Sequence, residues 1–467
     1  MSVMIIKPPM EMPMEALYFP SQAQSNAYNM TFVKSSIPAE NSFSAVLKYD
    51  LLVAYYRPVA DSLTTKECFV LYRFSSDSHG VNTVLKSLDF VYLPGDCNIA
   101  CINALQDCLT GEYIVGIGFV TVCTLILECH LRYSELAYVP LQLKHTYYIS
   151  PTTLRLQWAF VLSCGRPFCV STLSYPTPSA LTKELPIRIF AQLCDCVDES
   201  EGAAPYNSFS TESVSSVYGE FNSKSSLKYF PELSDVPNIM VLHMDFVIQQ
   251  ADSLTRLSAF GAENGWFGVF QTDMEHEVVL KRIQFTHDSA ITHIQLFHPC
   301  ASSKVNNDSV DPSISAYQPD DMDLLVCSSH EPAVVYRHVL RLNSLGVNNQ
   351  LILPQSADYD NVNCASVGDF DFDGRQELVL GTFGQRLLFY RWNSTESSTT
   401  HKSLGSYSLV AKRTLIAPIH SISPSLDLTG EGVDSLAVLT SRGLHIYRHK
   451  TSDVISLLSA RLSKESL

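Results

Sequence analysis

Two segments near the C-terminal end of the chain share one residue pattern, and they begin about 58 residues apart, at Cys364 and Ile422. Each segment predicts a strand, an acidic turn, a second strand, a tight turn and a third strand. A repeat of this length is typical of a blade of a β-propeller, in which sheets of about four strands surround a central axis. At that spacing the 467 residues, less three loop-like stretches, correspond to about seven blades.

The rest of the chain fits this architecture, because short apolar runs recur along it with little helical periodicity. Runs such as Trp266–Thr272 and Leu378–Thr382 are separated by segments containing Gly, Pro, Asn, Asp and Ser. We therefore predict an all-β fold, with a single β-propeller over residues 1–450 and a short C-terminal tail over residues 451–467.

Three stretches rich in Ser, Asn, Asp or Thr are predicted as surface insertions in the repeats. They cover residues 198–228, 302–323 and 393–406. In the tail, Ile455 to Leu462 has the spacing of an amphipathic helical turn that docks a partner, and a frayed terminus is the alternative.

Composition excludes several classes of protein. Apolar residues make up 46% of the chain and charged residues 17%, which argues against bulk disorder. The net charge of −15 argues against a nucleic-acid partner, because DNA and RNA require a basic face. The N-terminus lacks a secretory signal, and the apolar run from Tyr113 to Leu127 is shorter than the roughly 20 residues of a membrane span. We expect a soluble, cytoplasmic protein without a membrane span.

The chain contains 13 cysteines, an odd number, and no Cys-x-x-Cys pair. Most of them lie in apolar company, which favours buried, reduced thiols in a reducing compartment. Cys194-Asp195-Cys196 comes nearest to a metal-binding pair, but its spacing is not that of a zinc site.

The acidic turn of the first repeat is the one motif with specific chemistry. Asp369, Asp371 and Asp373 occupy alternate positions of a short loop, Gly374 permits a sharp reversal, and Glu377 takes the ninth position as the next strand begins. Carboxylate oxygens in this arrangement can converge on Ca²⁺ or Mg²⁺, with a structural role favoured. An EF-hand is excluded, because strands are predicted on both sides of the loop. The alternative is a turn closed by side-chain-to-backbone hydrogen bonds without metal.

The corresponding turn of the second repeat is degenerate. Asp427, Thr429 and Glu431 take the three alternate positions, and Ser435 stands where the first turn has its last acid. A hydroxyl is a poorer ligand for a hard cation than a carboxylate. We therefore favour a metal site at the first acidic turn over one at this second turn.

Catalytic motifs are absent from the sequence. The 14 histidines are scattered, and the patterns of zinc proteases, serine hydrolases and phosphate-binding loops do not occur. His287, His293 and His298 are close in sequence but do not share one face of the predicted strand. The sequence predicts a protein that is not an enzyme and requires no cofactor.

The first acidic turn resembles the calcium loops of FG-GAP repeats in integrin α-chain propellers, with Glu377 in place of the last Asp of the pattern DxDxDGxxD. A wider set of segments is similar to the kaptin family, densely from about residue 323 to 449 and sparsely before about residue 230. These segments are Ser21 to Tyr28, Lys228 to Leu233, Glu331 to Arg337, Leu351 to Pro354, Asp369 to Glu377, Leu426 to Gly430 and Gly443 to Ile446.

The resemblance implies a non-enzymatic scaffold in the KICSTOR complex, together with other subunits that include a second FG-GAP propeller. That complex recruits the GATOR GTPase-activating complex to the lysosomal surface and restrains the target-of-rapamycin kinase when amino acids or glucose are scarce. The resemblance also implies an alternative function, binding of actin filaments at lamellipodia and stereocilia. The basic run of the family after Lys450 is missing here.

Overall fold

The computed structural model describes residues 12–21, 29–37, 46–55, 69–77, 80–87, 98–106, 113–120, 125–129, 145–149, 153–161, 166–173, 187–193, 217–220, 227, 230–237, 239–250, 254–299, 322–393 and 405–465. Within these ranges the strands form seven four-stranded antiparallel sheets. The sheets confirm the predicted all-β fold and the predicted count of about seven propeller blades.

The first three blades take up the N-terminal half of the chain. Blade 1 contains β2 (Met30–Ile37), β3 (Val46–Ala54), β4 (Phe69–Asp77) and β5 (Gly80–Ser87). Blade 2 contains β6 (Asn98–Gln106), β7 (Tyr113–Val120), β8 (Leu125–Cys129) and β9 (His145–Ile149). Blade 3 contains β10 (Thr153–Val161), β11 (Arg166–Leu173), β12 (Ile187–Leu193) and β13 (Val217–Glu220), and β13 lies inside the stretch predicted as an insertion over 198–228.

The last four blades follow in chain order, except for one strand. Blade 4 contains β14 (Val241–Gln250), β15 (Leu254–Ala262), β16 (Trp266–Asp273) and β17 (Val278–Thr286). Blade 5 contains β18 (Ile291–Phe297), β19 (Asp323–Ser328), β20 (Val334–Tyr336) and β21 (Gln350–Ile352). Blade 6 contains β22 (Val362–Gly368), β23 (Glu377–Thr382), β24 (Arg386–Asn393) and β25 (Ser406–Thr414). Blade 7 contains β26 (Ile419–Ile422), β27 (Ser435–Thr440), β28 (Gly443–Arg448) and the N-terminal β1 (Met14–Pro20).

Helical segments connect or follow the blades. The 3₁₀ turns are Pro231–Ser234 and Val347–Asn349, and a short α-helix spans Val339–Leu342. The tail forms a helix over Thr451–Glu465, which is called the C-terminal helix below. In the part of the chain that the structure describes, no helix has the length and apolar character needed to cross a membrane.

The N-terminal strand closes the ring of blades. β1 pairs antiparallel with β28 and becomes the outermost strand of blade 7. Its residue Phe19 packs edge-on against Tyr72 and Phe74 of blade 1, at ring distances of 5.3 and 6.2 Å. Closure from both ends of the chain leaves blades 1 and 7 packed on each other through a shared apolar core.

The second strand of a blade is buried on both faces, since each face packs against a neighbouring blade. In β19, Leu324 and Val326 belong to the core shared with blade 4, whereas Leu325 and Cys327 belong to the core shared with blade 6. All residues of β19, β23 and β27 are buried. This double burial explains why these strands read as continuous apolar runs.

Polar residues of the innermost strands connect neighbouring blades through backbone groups. Asp245 Oδ2 accepts a hydrogen bond from the Leu296 amide at 2.7 Å, and Thr292 Oγ1 donates to the Val362 carbonyl at 2.6 Å. Asn363 Nδ2 donates to a carbonyl of blade 7 at 2.8 Å. These polar side chains, which line the central channel, therefore hold neighbouring blades together.

The three clustered histidines lie in different surroundings. His293 faces the channel, with its ring 4.2 Å from that of His243. His287 lies between blades 4 and 5, where it bonds to Ser328 Oγ and the Tyr336 hydroxyl. Outside the first acidic turn, the described residues bring no three His, Cys, Asp or Glu side chains together as a metal-binding group. Cys327 and Cys364 are buried free thiols, and Cys194-Asp195-Cys196 lies outside the described residues.

Candidate functional site

The first acidic turn joins β22 to β23, and the structure brings three of its four predicted ligands together. Carboxylate oxygens of Asp369, Asp371 and Asp373 lie within 4.8 Å of one another. Gly374 has a φ of 83°, a left-handed conformation that side chains disfavour, and it reverses the chain after the third Asp. An all-oxygen donor set of this kind suits Ca²⁺ or Mg²⁺.

Hydrogen bonds to backbone amides hold the same turn in shape. Asp369 accepts from the Gly374 amide at 2.9 Å and from the Asp373 amide at 3.1 Å. Asp371 Oδ1 also accepts from the Asp373 amide at 3.1 Å. These bonds are the metal-free closure named as the alternative, and they preorganise the carboxylates without using all of their lone pairs.

Glu377, the fourth predicted ligand, lies outside the group of three and is fully buried. Its Oε2 accepts from the amides of Phe370 at 2.8 Å and Asp371 at 3.2 Å, and its Oε1 has no hydrogen-bond partner among the described residues. Burial, followed by the charges of Asp371 and Asp373, raises the pKa of Glu377 to about 9. Burial likewise raises the pKa of Asp369 to about 6.

A pairing of acid and arginine recurs across blades, and it explains the position of Glu377. In blades 1 and 5, the acid just before a buried Leu of the second strand pairs with an Arg that lies in the third strand or directly after it. The pairs are Asp50 with Arg73 at 2.9 Å and Asp323 with Arg337 at 2.6 Å. Glu377 occupies this position in blade 6, but Arg391 Nε instead contacts Asp371 Oδ2 at 2.5 Å. The Glu377 carboxyl therefore bonds to backbone amides of the acidic turn instead.

The recurring pair was not predicted, although the sequence carries a signal for it. A Tyr-Arg dipeptide occurs in or at the end of four third strands, and each of these tyrosines pairs with a Leu of the second strand. The dipeptides are Tyr72-Arg73, Tyr336-Arg337, Tyr390-Arg391 and Tyr447-Arg448, opposite Leu51, Leu324, Leu378 and Leu436. The signal escapes a search for long repeats because the loops between the two strands differ in length.

In the second acidic turn, the carboxylates of Asp427 and Glu431 are already bonded to other groups of the protein. Asp427 accepts from the amides of Gly430 at 2.8 Å and Gly432 at 2.7 Å. Glu431 Oε2 pairs with Arg448 and accepts from Thr451 Oγ1 at 2.8 Å, while Thr429 Oγ1 is 3.5 Å from the same oxygen. The guanidinium of Arg448 supplies positive charge at the turn, so these residues fit a cation less well than the first turn.

The C-terminal helix lies on the first acidic turn. Arg461 donates to the Phe372 carbonyl and, at 3.4 Å, to the Asp371 carbonyl. His449, just before the helix, has Nε2 at 2.7 Å from the Phe370 carbonyl, so the tautomer protonated at Nε2 donates there. Val454 is buried, whereas Ile455, Leu458 and Leu462 are exposed on the outer side of the helix.

These contacts predict the consequence of removing Arg461. We expect Arg461→Ala to speed amide hydrogen exchange in residues 451–465, because the helix loses its bonds to the Asp371 and Phe372 carbonyls. Hydrogen exchange followed by mass spectrometry measures the effect, and Leu462→Ala, at an exposed position, is the matched control. Equal exchange in the two variants would contradict the anchoring role of Arg461.

The first acidic turn, the Asp323–Arg337 pair and most of the C-terminal helix lie in a stretch that matches known proteins. The family model described as KICSTOR complex protein kaptin matches residues 209–459, which are more than half of the chain and include blades 4 to 6 and three of the four strands of blade 7. The chain belongs to the kaptin family. The mouse KICSTOR complex protein kaptin is 31% identical over 243 residues, which are 52% of this chain and 52% of the mouse protein. The alignment thus spans about half the length of that relative.

Two solved structures that this chain resembles in fold have low TM-scores. Sqt1 from Chaetomium thermophilum has a TM-score of 0.45 at 11% identity, covering 94% of this chain and 100% of that one. The WD40 β-propeller domain of Doa1 has a TM-score of 0.42 at 12% identity, covering 94% and 97%. The fold of this kaptin-family chain is defined by its own seven sheets.

Proposed function

We propose that this chain is a non-enzymatic adaptor that serves as the kaptin subunit of a KICSTOR complex. The observation that carries the proposal is the family match over residues 209–459, which takes in blades 4 to 6, three strands of blade 7 and most of the C-terminal helix. A closed ring of rigid blades presents loops and faces to protein partners at fixed positions, which suits an adaptor.

In this role the chain binds other KICSTOR subunits, including a second FG-GAP propeller. The assembled complex recruits the GATOR GTPase-activating complex to the lysosomal surface and restrains the target-of-rapamycin kinase during amino-acid or glucose starvation. The protein itself is cytoplasmic and reaches the lysosome through its partners.

We further propose a structural Ca²⁺ or Mg²⁺ at the first acidic turn, held by Asp369, Asp371 and Asp373 with Glu377 beside them. Three converging carboxylates and the buried, unpartnered Glu377 Oε1 support the site, because Arg391 balances only one of the four acidic groups. A bound cation would neutralise the remaining charge. The chain's own part is to shape the turn and to rest the C-terminal helix on it.

Co-purification tests the adaptor role. We expect the tagged full chain to retain the other KICSTOR subunits when they are co-expressed, and we expect the complex to survive washing at physiological salt. Folded chain that emerges alone would contradict the proposal. Binding of actin filaments stays a prediction from the family resemblance, and co-sedimentation with filaments measures it with the same preparation.

A further inference from the structure

A groove opens between blades 4 and 5 at the end of the ring opposite the acidic turns. Its volume is about 280 Å³, and its apolar walls come from Phe285, Pro332, Val334 and Ile352. Asp288 and Glu331 complete the rim. Small-molecule sites usually occupy about 300–1,000 Å³, so this groove is better suited to one large side chain than to a cofactor-sized ligand.

The lips of the groove expose bulky apolar side chains. Ile352 is 60% exposed and Phe285 is 37% exposed, while Val334 is buried and forms the floor. Ile352 ends β21, the outermost strand of blade 5, so its sheet has no further strand beyond it among the described residues. An apolar pocket between exposed apolar lips is typical of a protein-binding surface.

The charge of the groove is negative. Asp288 is exposed, and Glu331 is oriented by bonds from Ser289 Oγ at 3.0 Å and the Asp288 amide at 3.3 Å. Burial lowers the pKa of His287, which keeps that ring neutral near pH 7 and adds no positive charge. No Lys or Arg lines the groove within the described part of the chain.

We propose that this groove docks an extended peptide segment of a partner protein in which one large apolar side chain is flanked by Lys or Arg. The apolar side chain enters between Phe285 and Ile352, and the basic neighbours face Asp288 and Glu331. The negative rim disfavours nucleic acid and anionic lipid surfaces. The inference rests on the proposed adaptor function and assigns one surface to it.

Fluorescence anisotropy with short labelled peptides tests the proposal on the full chain. The probes are nine-residue peptides with a central Leu, Phe or Trp, flanked on each side either by two Lys or by two Glu. We expect at least one Lys-flanked peptide to bind about tenfold more tightly than its Glu-flanked counterpart, and added salt to reduce the difference.

Variants locate the binding. Ile352→Asp should weaken the Lys-flanked peptide about tenfold, and Asp288→Asn should lower the preference for Lys about threefold. The matched control is Ile416→Asp, because Ile416 is 57% exposed and lies outside the groove. The control should leave binding within about twofold of the wild type.

Three results would overturn the groove assignment. They are equal affinity for Lys-flanked and Glu-flanked peptides, no binding of any Lys-flanked peptide below about 1 mM, or equal effects of Ile352→Asp and Ile416→Asp on binding. Co-purification of the wild type with KICSTOR subunits is read separately. If the complex forms while the peptides fail, the adaptor function stands and the groove assignment falls.

Discussion

Glu377→Gln is expected to stabilise the protein in chelator at pH 8 and to abolish the stabilisation that Ca²⁺ or Mg²⁺ gives the wild type. The side-chain amide oxygen can still accept from the Phe370 and Asp371 amides, whereas the variant does not have to take up a proton when it folds. In chelator the gain should be on the order of 2 kcal/mol, because folding of the wild type at this pH requires Glu377 to take up a proton. With cation present the variant lacks the carboxylate that lies beside the three aspartates and helps to balance the cation's charge, so the sign of its effect reverses.

The same carboxyl predicts how stability depends on pH. The pKa of Glu377 rises from an ordinary value of 4.5 to about 9 on folding, so the folded state binds more protons between these values. Stability in chelator should therefore be greatest below about pH 4.5 as far as Glu377 is concerned, and should fall as pH rises towards 9. Urea denaturation at pH 5.5 and 8.5 measures the slope, which Glu377→Gln should flatten.

Two comparisons keep this test specific. Asp371→Ala, which the sequence alone recommends, is confounded because Asp371 also pairs with Arg391 and its loss destabilises the protein with or without cation. Asp373→Asn is the better control, because it removes an exposed carboxylate of the group of three. It should reduce stabilisation by the cation, and its gain in chelator should be smaller than that of Glu377→Gln. Identical behaviour of Glu377→Gln in chelator and in cation would contradict the metal proposal.

Arg256→Met is expected to lower the free energy of unfolding by about 3–5 kcal/mol. Arg256 and Glu232 form a buried ion pair at 2.8 Å, with side chains 1% and 0% exposed, and the guanidinium also stacks on Phe230 at 4.1 Å. Methionine fills much of the space but leaves the Glu232 carboxylate buried, where its charge is uncompensated. Urea denaturation at pH 7 measures the loss.

A double variant separates charge from packing. Adding Glu232→Gln to Arg256→Met removes the stranded charge, and the amide oxygen can still accept from Ser258 Oγ while the amide nitrogen donates to Thr272 Oγ1. We expect the double variant to recover about half of the lost stability. No recovery would show that stacking on Phe230, rather than the buried charge, dominates the effect.

The Arg256–Glu232 pair also gives a structural role to the segment from Lys228 to Leu233, which resembles the kaptin family in sequence. Phe230, Glu232 and Leu233 lie in or next to the 3₁₀ turn Pro231–Ser234, and all three are buried against blade 4. Local pattern could not predict this, because the turn is too short to show periodicity and its partners are more than 20 residues away.

The metal hypothesis shows how far local pattern reaches. The spacing of Asp369, Asp371 and Asp373 was sufficient to predict that their carboxylates converge, because a tight turn reversed at Gly374 leaves few other arrangements. The same spacing put Glu377 in the group, and the structure does not. The environment of Glu377 depends on whether Arg391, on the neighbouring strand, pairs with Glu377 or with Asp371. The packing of the strands, not the local sequence, determines which pair forms.

By itself the sequence determined the all-β propeller, the approximate number of blades and the acidic turn, since these follow from local alternation, turn chemistry and an internal repeat. The family was indicated separately, by the resemblance of particular segments. Only the tertiary structure decided the closure of the ring by β1, the unpartnered oxygen of Glu377, the support of the acidic turn by Arg461, and the groove between Phe285 and Ile352. Each of these joins residues far apart in the chain. Their distances are set by the packing of whole blades, which local sequence preferences do not encode.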